Sequence, residues 1–167
     1  PSFTSDGNSV VFVTWNDESL GAIYQINIDG TNLVKITKEK GIYRTPKYNN
    51  ANTKITYRKE SGNGDQGYDY TKKTGIYIAN TDGNEAKRVS KTGAFPTFSA
   101  DDKRIFFQTG GSFFGGLTKK LKSVDLNGKD EKSHFSSKLA NRLVPSHDNK
   151  WIAFIHLHKL YVAPFVM

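Results

Sequence analysis

The two imidazoles of His156-Leu157-His158 have the tightest spacing for metal chemistry in this sequence, because paired histidines can hold a divalent ion. A working site needs more ligands. His134 and His147 have no ligand spacing to the pair, and the chain ends nine residues after His158. The pair therefore reads as part of a tight turn between two short apolar runs, Ile152–Ile155 and Leu160–Val162. Asn16-Asp17-Glu18-Ser19 and Asn63-Gly64-Asp65-Gln66-Gly67-Tyr68-Asp69 are rich in oxygen, as calcium loops are, but neither has the EF-hand spacing with its last Glu. Both are expected to be solvated loops. Gly110-Gly111-Ser112-Phe113-Phe114-Gly115-Gly116 lacks the Lys-Ser/Thr of a phosphate loop and reads as a flexible connection carrying two aromatics. No Gly-x-Ser-x-Gly elbow or dinucleotide fingerprint occurs. The expectation is that no catalytic, cofactor-binding or metal-binding residue lies in these 167 residues.

The composition narrows the classes further. The chain has 24 Lys and Arg against 16 Asp and Glu, a formal net charge of +8, and no cysteine. Thiolate zinc sites and disulfide frameworks are excluded. The basic residues are spread through every segment and form no block, so a solvated surface is expected, with no nucleic-acid partner. No run approaches the roughly 18 apolar residues of a membrane-spanning helix. Eleven Phe and 8 Tyr against one Met favour strands over helices.

What must position any functional group is a repeat. Pro1-Ser2-Phe3 leads through Asp6-Gly7 to Val10-Val11-Phe12. Pro46-Lys47-Tyr48 leads through Ala51-Asn52 to Ile55-Thr56-Tyr57, and Pro96-Thr97-Phe98 through Asp101-Asp102 to Ile105-Phe106-Phe107. A fourth copy runs from Leu143 through Asp148-Asn149 to Ile152-Ala153-Phe154, so the steps are 45, 50 and 47 residues. A period of this length belongs to the four-stranded blades of a β-propeller. A second mark recurs in each unit: Ile23, Ile76 and Leu121 each lie seven residues before the Gly of Asp29-Gly30, Asp82-Gly83 and Asn127-Gly128. Asp-Gly and Asn-Gly accept positive φ and close tight hairpins. Each unit is thus a meander of strands A, B, C and D.

Val10, Val11, Phe12 and Val13 place apolar residues on both faces of strand B, which predicts a blade packed between two neighbours. Trp15, Tyr43 and Phe95 are expected to fill the wedges between blades. The fold class is all-β, a partial β-propeller with three nearly complete blades and part of a fourth, in units of about 1–42, 43–92, 93–139 and 140–167. Such an array does not close a ring of four to eight blades. Further blades are expected in a longer parent chain, and the end blades of this piece are expected to be sticky.

Pro1-Ser2-Phe3-Thr4-Ser5-Asp6-Gly7, and Ile23 to Gly30 after it, resemble the bacterial TolB-type propeller repeat. Residues 123–130 and 143–154, followed by Leu160-Tyr161-Val162-Ala163-Pro164-Phe165, are similar to the propeller that precedes the catalytic barrel in a family of large bacterial amidohydrolases. His147 and Asn149 depart from it, where Pro and Gly are usual. The resemblance implies a parent with a divalent metal in a downstream barrel that would itself begin with a His-x-His pair, and it implies export to the periplasm. It implies as partners the remaining blades and the catalytic domain of the same parent, and it leaves room for a protein partner. It places no catalytic residue here. A free-standing TolB-like interaction propeller and the propeller of a prolyl-oligopeptidase-type serine peptidase remain the alternatives.

Overall fold

Four turns of one build organise the chain. The computed structural model describes residues 1–63, 68–69, 73–110 and 118–165, and the regular structure of those residues is all β-strand. At Thr4–Gly7, Asn49–Asn52, Ser99–Asp102 and Ser146–Asn149 the fourth amide donates to the first carbonyl at 3.0, 3.1, 3.0 and 3.0 Å. The first side chain of each turn caps the strand that follows. Thr4, Asn49, Ser99 and Ser146 accept from the amides of Ser9, Lys54, Arg104 and Trp151. The fourth residues, Gly7, Asn52, Asp102 and Asn149, sit at φ of 74, 57, 57 and 56°. Only Gly, Asn and Asp enter that left-handed region at small cost, which is why these types recur there.

Between the turns run antiparallel meanders. The first sheet is β1 (Ser2–Phe3), β2 (Ser9–Thr14), β3 (Ala22–Asn27) and β4 (Val34–Lys35). The second is β5 (Ile42–Tyr48), β6 (Lys54–Glu60), β9 (Gly75–Asn80) and β10 (Lys87–Ser90), with the ribbon β7 (Gly62–Asn63) and β8 (Tyr68–Asp69) between β6 and β9. The third is β11 (Ala94–Phe98), β12 (Arg104–Gly110), β13 (Thr118–Asp125) and β14 (Lys132–Lys138). The fourth holds β15 (Ala140–Pro145), β16 (Trp151–His156) and β17 (Lys159–Pro164). These are four propeller blades, three of them four-stranded and the last three-stranded.

The blades stack as the doubly apolar strands require. Val11 and Val13 of the first blade pack on Ile55 and Tyr57 of the second. Ile76, Ile78 and Val89 of the second meet Ile105 and Phe107 of the third. Phe106, on the opposite face of that same strand, meets Leu143 and Ile152 of the fourth. Burying such side chains stabilises each interface by about 1.5–3 kcal/mol per residue.

Hydrogen bonds then clip each blade to the one before it. Asn52 Oδ1 accepts from the Ser5 amide at 2.9 Å. Asp102 takes the amides of Asn50 and Ala51 at 2.9 and 3.0 Å, and Asn149 Oδ1 takes the Ala100 amide at 2.6 Å. At the C–D turns, Lys38 reaches Asn84 and Lys87 reaches Asn127 across the same pairs of blades.

One regularity escaped the sequence reading. Strand A carries a β-bulge in three blades, with Thr45, Phe95 and Arg142 at φ of 49, 52 and 55°. The bulge breaks the in–out alternation of the strand. Phe95 is therefore 42% exposed and lies under the Arg142 guanidinium, 4.7 Å from its ring centre, instead of filling a wedge. Trp15 also departs from expectation: it is 50% exposed in the B–C loop, its indole nitrogen bonded to Asp17. Tyr43 alone of the three is a wedge residue, almost wholly buried between the first two blades.

The stacking makes a position-specific forecast at the C–D turns. A Cβ on Gly128, at φ +75°, would stand 2.6 Å from the Val89 carbonyl oxygen of the preceding blade, whereas one on Gly30, at φ +85°, would meet nothing within 4 Å. Gly30→Ala should cost about 1 kcal/mol, the left-handed penalty alone. Gly128→Ala should cost at least about 2 kcal/mol more, because backbone must move. Urea unfolding of the two variants side by side measures the difference, and equal losses would contradict this stacking.

Candidate functional site

Antiparallel meanders put the A–B turns of all four blades at one end, on the inner strand of each. There Phe3, Tyr48, Phe98 and Pro145 line a cavity of about 450 Å³ together with Ser5, Asn50, His147 and Asn149. Its wall is made of equivalent positions, so it follows from the repeat itself. Most of its polar side chains already have work in the turns, Asn49 and Asn149 among them. Tyr48 donates to Gln25 of the first blade at 2.8 Å, and burial, helped by the nearby Asp6 carboxylate, pushes its phenol up to about 12. Lys47 also lines this cavity, so this end can meet a polar group with hydrogen bonds and one positive charge.

A second cavity, of about 440 Å³, opens between the first two blades and is chemically different. Tyr43, Tyr57 and Tyr77 wall it, Lys59 stands in its floor, and Lys38, Lys73, Arg88 and Glu39 lie around it. Lys59 is 3% exposed and its ammonium meets the Glu39 carboxylate, which is 66% exposed. The ammonium lies 5.8 and 6.0 Å from the ring centres of Tyr43 and Tyr77, within the range of cation–π attraction. The Lys59 hydrogen bond, and then its charge, hold the Glu39 carboxyl below its ordinary value. Burial, and secondly the Glu39 charge, push the Tyr43 phenol up to about 12. Sequence reading passed over Lys59 and Glu39 because each looks like an ordinary surface charge.

The histidines singled out from sequence fall where a turn was expected. His156 ends β16 and pairs with Lys159 of β17, while Leu157 and His158, at φ of 45 and 65°, make the two-residue turn between them. His156 is partly buried against Tyr161, and His158 points to solvent. No group of three or more His, Cys, Asp and Glu with metal-binding geometry occurs among the described residues. Asn16 closes an Asx turn onto the amides of Glu18 and Ser19 at the head of the B–C loop. Residues 64–67 of the second oxygen-rich segment and residues 111–116 of the glycine-rich one lie outside the described residues.

A serine–histidine contact that the sequence did not signal occurs in the third blade. Ser123 Oγ lies 2.7 Å from His134 Nε2 and also accepts from Arg104 Nε at 2.8 Å. With Arg104 Nε donating to it, the Ser123 hydroxyl can turn its own hydrogen to Nε2 of the neutral imidazole. Ser123 is fully buried and the imidazole is flanked by Phe106 and Phe165, so no carbonyl can reach the hydroxyl. The pair is a packing device.

Burial, then the charges of Arg104 and Lys132, lower the His134 pKa from its ordinary 6.5. A histidine held neutral contributes stability in full above its unfolded pKa, and loses it as pH falls through that value towards the lower folded one. The urea midpoint should therefore decline as pH falls below the ordinary 6.5, and His134→Gln should remove that component of the slope. An unchanged slope in the variant would show that other groups carry it.

No protein-family model matches the chain, and no curated protein sequence does at a significant level. Solved structures do match its fold. TolB from Acinetobacter baumannii superposes with a TM-score of 0.72, at 18% identity over 95% of this chain and 39% of that one. Oligogalacturonate lyase from Vibrio parahaemolyticus gives 0.72, at 11% identity over 98% of this chain and 50% of that one. The β-propeller domain of the Trilobed protease from Pyrococcus furiosus gives 0.63, at 18% identity over 98% and 53%. The chain thus spans about half of these proteins or less. At such identities the likeness establishes architecture alone: the chain is a run of β-propeller blades, of the kind found in TolB proteins among others.

Proposed function

We propose that the chain is a non-catalytic propeller module, a scaffold, gate or docking surface, of a larger metal-dependent amidohydrolase-like protein. The observation that carries the modular half is one repeated position. Ile23, Ile76 and Leu121 occupy the same place on strand C and are 0, 0 and 1% exposed, each covered by the next blade. Leu160 occupies that place in the fourth blade and is 71% exposed. Val144, Trp151, Ile155 and Val162 share its face and are exposed with it. An apolar face of this shape is suited to a further blade of the same ring.

The parent's identity is supported by the resemblance of residues 123–165 to amidohydrolase-associated propellers. On this reading the divalent metal and the reacting groups belong to a barrel elsewhere in the parent, and export to the periplasm follows from the same resemblance. The partners are the remaining blades and that barrel. The similarity to TolB favours a second reading, a propeller that works by protein contact alone. The similarity to a peptidase propeller favours a third, with a serine nucleophile elsewhere in the parent.

Intact-mass measurement of the parent polypeptide, with peptide sequencing beyond Met167, separates these. The proposal expects more blades and then a barrel that opens with a His-x-His pair. A reading frame of blades without any barrel would overturn it in favour of the interaction propeller, and a nucleophile elbow would point to the peptidase.

A further inference from the structure

Of the positions at which the second blade departs from the repeat, three lie in the cleft it shares with the first. Where the second blade has Tyr43, the third and fourth have Gly93 and Ala140. Tyr57 replaces the Phe12, Phe107 and Phe154 of the other blades, and Lys59 stands where they have Thr14, Thr109 and His156. Each of these three departures adds a phenol or an ammonium to one cavity.

The charges there are arranged unequally. Lys59 is nearly inaccessible, and its stem passes Gly41, where a Cβ would lie 3.0 Å from the Lys59 Cε. A buried ammonium is costly without a partner, so this site favours an anion beside Lys59. The anion in this structure is Glu39, from the segment joining β4 to β5. Its backbone carbonyl is fixed by the Tyr43 hydroxyl at 2.6 Å, but its carboxylate is mostly in water. One partner of the pair is buried and the other is largely exposed to solvent. Lys38 and Arg88 keep the surroundings positive.

We propose that this cleft is a binding site for a small organic carboxylate carrying a flat ring, and that Glu39 is the internal anion which the ligand displaces from Lys59. The ligand's carboxylate takes the place of the Glu39 carboxylate on the Lys59 ammonium, and its ring lies against Tyr77, the outer member of the Tyr57–Tyr77 stack, in a space of about 440 Å³, a volume usual for small-molecule sites. No covalent step is involved. The proposal concerns these blades alone and does not depend on which parent carries them.

The test uses the 167-residue chain with three probes, by calorimetric titration and thermal shift. Benzoate has the charge and the ring, acetate the charge alone, and benzamide the ring alone. Benzoate is expected to bind and raise the melting temperature, acetate to bind more weakly, and benzamide not to bind. Glu39→Gln removes the internal competitor, so it should tighten benzoate by about tenfold if the closed form is about nine-tenths populated. Lys59→Met should abolish binding. Arg88→Gln, at the rim, should weaken it severalfold in a folded protein even if the Lys59 variant does not fold. If Glu39→Gln binds benzoate no better than the parent chain, or if benzamide binds as well as benzoate, displacement of Glu39 is refuted. If no probe binds either chain at millimolar concentration, Lys59–Glu39 is a structural ion pair and the proposal falls.

Discussion

A side-chain oxygen that reaches one blade back is the contact on which the array depends. Asn52, Asp102 and Asn149 each close their own A–B turn and accept an amide from the preceding one. Both tasks need the same unusual backbone, with φ near 57°. The strain, roughly 1–2 kcal/mol for an ordinary side chain and less for Asn or Asp, is offset because amides of the neighbouring turn gain a partner. At larger radius, Gly83 and Gly128 come up against the Ile36 and Val89 carbonyls of the preceding blade. Two points of contact at the same end, one near the axis and one far from it, fix how each sheet is turned against the last. The wedge cores of isoleucine, phenylalanine and tyrosine then pack in one way only.

Much of this was legible in the sequence because turns and cores use restricted residue types. Left-handed positions select Gly, Asn and Asp, and a covered strand position selects Ile or Leu, so both recur at a steady period. The bulges of strand A were not legible. Thr45, Phe95 and Arg142 share no chemistry, and what repeats there is a backbone angle. For the same reason Phe95 was misplaced: side-chain size suggested a wedge, while the bulge turns it out towards Arg142.

The candidate sites divide along a similar line. The cavity at the A–B end could be anticipated, since it collects equivalent residues from each blade. The tyrosine–lysine cleft could not be found by searching for motifs, because Glu39, Tyr43, Tyr57 and Lys59 have no fixed spacing. A signal was nevertheless present. In a repeat whose other members carry Phe at one place and Thr or His at the other, a Tyr and a Lys there mark where packing alone no longer dictates the residue. Ser123–His134 is the opposite case, a pair with catalytic distance but no access, in which burial and Arg104 keep the ring neutral. Distance alone does not define a site.

If clips and shared cores make the blades interdependent, the two ends of the array must unfold together. The chain has two tryptophans, Trp15 in the first blade and Trp151 in the fourth. Trp15→Phe and Trp151→Phe each leave a single tryptophan, at one end, to be excited selectively. Urea titration of the pair, each followed by circular dichroism as well, should give for each variant a fluorescence midpoint that coincides with its circular-dichroism midpoint. A fluorescence transition that separates from the loss of β-structure, with one end melting while the other stays folded, would contradict the account.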